Sequence, residues 1–190
     1  MSEESKKVAP VWRLGIWWFL GSEIAVFGGL IAVYLLYRFR HPEWGIEAAH
    51  TLTSVGAINT VILLTSSLTM ILAHWFVEEK KPTLAANYLA VTIGLGILFL
   101  VVKSFEYRHE IHGGLVPSRS LFWGFYYLMT GLHALHVIGG LVANGALWGG
   151  LRKGIATHRI ESVGIYWHFV DLVWIFLFPL LYIASAGGVS

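Results

Sequence analysis

The stretch Tyr166-Trp167-His168-Phe169-Val170-Asp171-Leu172-Val173-Trp174-Ile175-Phe176-Leu177-Phe178 decides what kind of protein this is. With its flanks it is an apolar run long enough to cross a bilayer, yet it holds an imidazole and a carboxylate three residues apart. On a helix His168 and Asp171 share a face, and Trp167, Asp171 and Trp174 form a stripe beside it. A carboxylate near the middle of the hydrocarbon costs about 3 kcal/mol unless it is paired or neutralised, so this face is expected to turn towards protein.

The rest of the composition agrees with a membrane setting. Of 190 residues, 56% are hydrophobic and 13% charged, and the mean hydropathy is +0.67, which fits an integral membrane protein and argues against a soluble enzyme. The net charge of +2 is small and scattered, so no nucleic-acid partner is implied. With no cysteine, disulfides, thiolate metal sites and thiol chemistry are all excluded. Residues Met1 to Pro10 are polar, and the apolar run after them is too long for the core of a signal peptide and lacks a small-residue cleavage pattern, so the first helix is expected to stay in the mature protein.

Five apolar segments are predicted to span the membrane, at about 16–37, 52–73, 84–102, 121–148 and 163–184. Charges and prolines mark the breaks between them, as in His41-Pro42-Glu43 and Glu78-Glu79-Lys80-Lys81-Pro82. Lipid cannot satisfy backbone polar groups and five strands cannot close a barrel, so the fold class is an all-α bundle, with residues 1–190 as one transmembrane domain. Lys6, Lys7, Arg13, Lys80, Lys81, Arg152, Lys153 and Arg159 fall on one side, against Arg38, Arg40, Lys103, Arg108 and Arg119 on the other, a split of 8 to 5. The positive-inside rule then puts the N-terminus in the cytoplasm and the C-terminus in the periplasm, with Trp12, Trp17 and Trp18 as interfacial anchors.

Several polar residues lie within the predicted spans. Glu23 is about 10 Å from the nearest end of its segment, too far for a short side chain to reach water, and reads as a buried, hydrogen-bonded carboxyl. The second segment is rich in Asn59, Thr60, Thr65, Ser66, Ser67 and Thr69, which suits close helix packing. Glu106 and Tyr107 are expected at the outer interface, and Glu110 in a solvated loop with His109 and His112. In the fourth segment Tyr126, Thr130, His133, His136, Gly140 and Asn144 fall within an arc of about 120°. Their histidines, with His168 and Asp171, could ligate a metal or haem, but the i, i+3 spacing permits this without selecting it. No thiolate or methionine completes a site, and a hydrogen-bonded helix seam accounts for the same residues. Glu23 is expected to share a proton with His136 or, failing that, His133, since one bond would satisfy two desolvated groups.

Leu20-Gly21-Ser22-Glu23, Asn59 through Ser67, Glu106-Tyr107, Thr130-Gly131-Leu132-His133-Ala134-Leu135-His136 and the Trp167-His168-x-x-Asp171-x-x-Trp174 motif together resemble subunit III of haem–copper (cytochrome c) oxidases, in its five-helix bacterial form. The resemblance covers all five segments in order. It implies a noncatalytic subunit of a proton-pumping terminal oxidase in aerobic electron transport, lying in the bacterial inner membrane against subunit I, near subunit II, and open to a larger respiratory supercomplex. It further implies that haem and copper belong to those partners, that this chain holds no metal and no catalytic residue, and that it binds phospholipid and helps sustain proton uptake and the stability of the catalytic subunit. Glu23, Asn59, His133, His136, His168 and Asp171 would form a buried polar network, with Trp167, Trp174 and Gly140 packing the helices. Many family members have two further N-terminal helices that this chain lacks. The electron donor stays open between cytochrome c and a quinol. A related auxiliary protein of nitric oxide reductases shares the five-helix pattern.

Overall fold

In a computed structural model, residues 11–153 and 159–183 are described, the side chains of residues 11–13 excepted. Lys6, Lys7 and Ala184 therefore lie outside the described residues, as do the side chains of Trp12 and Arg13. The described chain is all helical: α1 (Val11–Arg40), α2 (Trp44–Ala48), α3 (Thr53–Glu78), α4 (Pro82–His112), α5 (Leu121–Arg152) and α6 (Ile160–Phe178), the last running into a π-helical turn at Pro179–Ile183. All but α2 are long and apolar enough to cross a membrane. Each helix satisfies its own backbone, which is why a lipid-facing chain adopts this architecture.

Helices α3, α4, α5 and α6 close a four-membered ring, each packing on the next, and α1 lies outside it, chiefly against α6 and α5. Aromatic side chains of α6 need room, and glycines of the neighbouring helices provide it. A Cβ on Gly140 would sit 2.6 Å from the Trp167 ring and one on Gly96 2.8 Å from the same ring. At the other end of α6, a Cβ on Gly56 would meet Phe178 at 2.8 Å. Close approach of this kind replaces the hydrophobic effect as the source of helix association in lipid.

Two features differ from the sequence expectations. The loop after α1 contains the short helix α2, whose Trp44 is buried among Tyr34, Phe122 and Phe125. Helix α4 runs ten residues past its expected end, carrying Lys103, Glu106 and Glu110 inside the bundle, where they are 3%, 2% and 0% exposed. Glu106 is thus not interfacial and Glu110 is not in a solvated loop. Lys103 is no loop charge either, which leaves four of the five basic residues assigned to that side. The physical reason is mutual compensation, since these charges satisfy one another and need not leave the membrane protein's interior.

Candidate functional site

The polar interior falls into separate parts, not one network. The part at the α4 C-terminal end is the most tightly bonded. Lys103 Nζ donates to Glu106 Oε2 at 3.1 Å, to the Tyr126 hydroxyl at 2.8 Å and to the Tyr182 hydroxyl at 2.5 Å. Tyr182 donates to Glu106 Oε1 at 2.7 Å, and the Tyr126 hydroxyl lies 2.9 Å from Glu106 Oε1 and 2.8 Å from Glu110 Oε1. The rings of Tyr107, Tyr126, Trp174 and Tyr182 surround the ammonium at 4.6–5.6 Å, adding cation–π attraction in a site shut off from water. Tyr182 reaches the cluster because Pro179, lacking an N–H, loosens the end of α6 into the π turn, which Tyr34 holds through a 2.9 Å bond to the Leu180 carbonyl. The spacing 99, 103, 106, 110 puts these charges on the same α4 face as buried Phe99, a helical signal that reveals their burial from sequence.

Glu23 and His136 form a second part, between α1 and α5. His136 Nε2 lies 2.9 Å from Glu23 Oε2, and His136 Nδ1 lies 2.8 Å from the Leu132 carbonyl. A carbonyl can only accept, so Nδ1 carries a proton, and one further proton is shared between Nε2 and the carboxyl. The two side chains remain 14% and 16% exposed. His136 consequently leaves the buried α5 face, on which Tyr126, Met129, Thr130, His133, Val137, Gly140 and Asn144 lie.

The third part joins α6 to α3. Trp167 Nε1 donates to Ser66 Oγ at 3.1 Å, and Trp174 Nε1 to Thr60 Oγ1 at 3.0 Å. Each hydroxyl in turn donates to a carbonyl of its own helix, Leu63 for Ser66 and Gly56 for Thr60. The hydroxyl-rich run of α3 is therefore a pair of docking points for two indoles one heptad apart. His168 Nδ1 lies 2.6 Å from Ser67 Oγ, and Ser67 also neighbours Asp171.

Thr69 and Thr92 join α3 to α4 through a 2.7 Å hydroxyl–hydroxyl bond, whereas four other buried polar residues have no hydrogen-bond partner. Asn59, His133 and Asn144 are fully buried and Asp171 is 3% exposed, yet none of their side-chain N or O atoms has a partner among the described residues. His133 is held by rings instead, 5.6 Å from Phe99 and 5.2 Å from Trp174. Among the described residues no three His, Asp or Glu side chains converge as a metal cluster. The bonds from Trp167 to Ser66 and from Trp174 to Thr60 suit helix docking.

The profile of the family described as Cytochrome c oxidase subunit III matches residues 2–186, and the chain belongs to that family. The cytochrome c oxidase subunit 3 of Thermostichus vulcanus is 37% identical over 177 residues, covering 90% of this chain and 87% of that protein. The heme-copper oxidase subunit I+III of Aeropyrum pernix is 35% identical over 182 residues, and here the chain spans 90% of its own length but 22% of the relative. A probable quinol oxidase subunit 3 of Staphylococcus saprophyticus is 31% identical, with 90% and 87% covered.

Proposed function

We propose that this chain is the noncatalytic subunit III of a proton-pumping terminal oxidase of the cytochrome c oxidase type, in the bacterial cell membrane. It braces the catalytic subunit, holds phospholipid at its flank and supports proton uptake, while haem and copper reside in subunits I and II. The observation that carries this reading is the separate engagement of the three membrane histidines: His136 with Glu23, His168 with Ser67, and His133 between Phe99 and Trp174. Each spends its chemistry on fixing a helix seam. The name subunit I+III of the Aeropyrum relative supports contact with subunit I. Helix α1, with Trp18 81% and Phe39 82% exposed, offers an open flank for such a partner or for lipid. Lys80, Lys81, Arg152, Lys153 and Arg159 at one end of the bundle support a cytoplasmic N-terminus.

Higher identity to relatives named cytochrome c oxidase, at 37%, 34% and 32%, than to those named quinol oxidase, at 31% and 29%, favours cytochrome c as donor. The second reading, a quinol oxidase subunit, rests on the latter relatives. Purification through a tag on this chain in mild detergent separates them. Haem-bearing subunits should copurify and oxidise reduced cytochrome c; oxidation of quinol alone selects the second reading, and a chain recovered without haem partners contradicts both.

A further inference from the structure

We propose that the groove between α1 and α6 binds the ring of a membrane-soluble quinone, with the His168 imidazole as its hydrogen-bond partner. The groove has a volume of about 480 Å³ and is lined by Leu20, Gly21 and Ile24 of α1 and by Ile165, His168 and Phe169 of α6. That size, with a single polar group on an apolar wall, suits a small lipophilic molecule. Leu20 is buried, whereas Trp17, Ile24 and Leu172 are exposed around it, so the groove opens towards lipid. A Cβ on Gly21 would meet nothing within 4 Å, and the α1 wall is recessed there.

Depth and charge select the ligand. Among the described residues no Lys, Arg, Asp or Glu lines the groove. The span Ile160–Ile183 has 24 residues and is about 36 Å long, so about 30 Å of hydrocarbon centred on it begins about 3 Å from Ile160. From Ile160 to His168 the helix rises about 12 Å, which puts the imidazole about 9 Å below the headgroups. An ionised phosphate or carboxylate would be unpaired and desolvated at that depth, so the occupant is neutral. His168 Nδ1 is engaged 2.6 Å from Ser67 Oγ of α3, and Nε2 has no protein partner among the described residues. That nitrogen donates to a carbonyl or accepts from a phenol, according to the tautomer. Trp17 and Phe169 bring aromatic rings from the two helices, which favours a flat ring over an acyl chain. A neutral, flat, bilayer-soluble ring carrying a carbonyl or phenolic oxygen is a quinone or its quinol. Binding here requires no electron transfer, and it does not depend on which donor the oxidase uses.

The test uses the purified oxidase complex containing this chain, incubated in mild detergent with a photoreactive azido derivative of a short-chain benzoquinone and then illuminated. Label is counted by mass spectrometry on peptides of this chain alone, so a donor site elsewhere in the complex does not enter. It should fall within residues 17–24 and 165–172, and excess decyl-benzoquinone should displace it. His168→Asn keeps an amide near the place of Nδ1, where Ser67 binds, but has nothing at Nε2; it should weaken the competition about fivefold, the loss of one hydrogen bond. His168→Gln, whose amide reaches the Nε2 position, should recover part of that loss. Gly21→Phe fills the recess and should abolish labelling, whereas Gly94→Phe, on the exposed face of α4 with nothing within 4 Å of its Cβ, should leave it unchanged. Recovery of each variant with its haem partners checks that it has assembled. Wild-type affinity in His168→Asn overturns the proposal. So does displacement of the label by phosphatidylglycerol, which would mark a lipid groove, or a Gly21→Cys crosslink to another subunit, which would mark a protein occupant. An assembled, haem-bearing complex in which this chain takes no label overturns the quinone site and leaves the chain's place in the oxidase intact.

Discussion

Two buried polar regions meet at Trp174 and differ in every other respect. On one side Lys103, 5.6 Å from the indole, is bonded to Glu106, Tyr126 and Tyr182. On the other, His133, 5.2 Å from the same ring, makes no hydrogen bond, and Asn59, one residue before the Thr60 that accepts the Trp174 N–H, makes none either. Burial of polarity therefore has two consequences in one bundle. Where donors and acceptors are matched, removing one partner strands the others; where they are unmatched, removal relieves a cost. The Lys103 cluster is the clamp that ties α4, α5 and the end of α6 together, and the His133 layer is held by shape.

Lys103→Met should break this contrast most severely. It strands two buried carboxyls and should cost about 3–5 kcal/mol, seen as a lower thermal midpoint for the complex in detergent or as loss of this subunit. Adding Glu106→Gln to that variant should restore part of the loss, since it removes one of the stranded charges. Gly140→Leu comes next, because Trp167 occupies the space its side chain would need; an overpacking cost of about 1–3 kcal/mol is expected. Gly145→Leu on the same helix, with nothing within 4 Å of its Cβ position, is the matched control and should be silent in the same melt. Glu23→Gln should cost about 1 kcal/mol, because the amide can still donate to His136 Nε2 and the pair is partly exposed. The smallest effect is expected for His133→Phe, within about 1 kcal/mol of wild type, since an apolar ring replaces an unsatisfied one between Phe99 and Trp174. A large loss there would mean that His133 has a partner of its own and that the contrast is false.

The five spans were legible because hydrocarbon imposes one rule on every residue it touches, and mean hydropathy reads that rule directly. The end of α4 was not, since Lys103, Glu106 and Glu110 carry the same composition as an exit into water. Only their common helical face, shared with Phe99, distinguishes a buried cluster from a loop. The face of α5 was legible for Tyr126, Thr130, His133, Gly140 and Asn144; His136 leaves it for Glu23 on α1, a partner 113 residues away that no local period encodes but that the cost of two desolvated groups indicated. Helix α2 was hidden because its five residues are too few for a period, and tertiary packing of Trp44 fixes it. Trp167 and Trp174 were placed at helix contacts by sequence, whereas their bonds to Ser66 and Thr60 depend on the antiparallel register of α6 against α3.

The central claim is that the polar interior serves packing and that haem and copper lie in partner subunits. The direct test is the haem and copper content of the purified complex carrying His133→Phe, His136→Gln or His168→Asn, measured per complex that retains this chain. Each variant should hold the wild-type haem and copper complement, whatever its thermal stability. Stoichiometric loss of one haem or one copper in any of them, with this chain still present, would contradict the account.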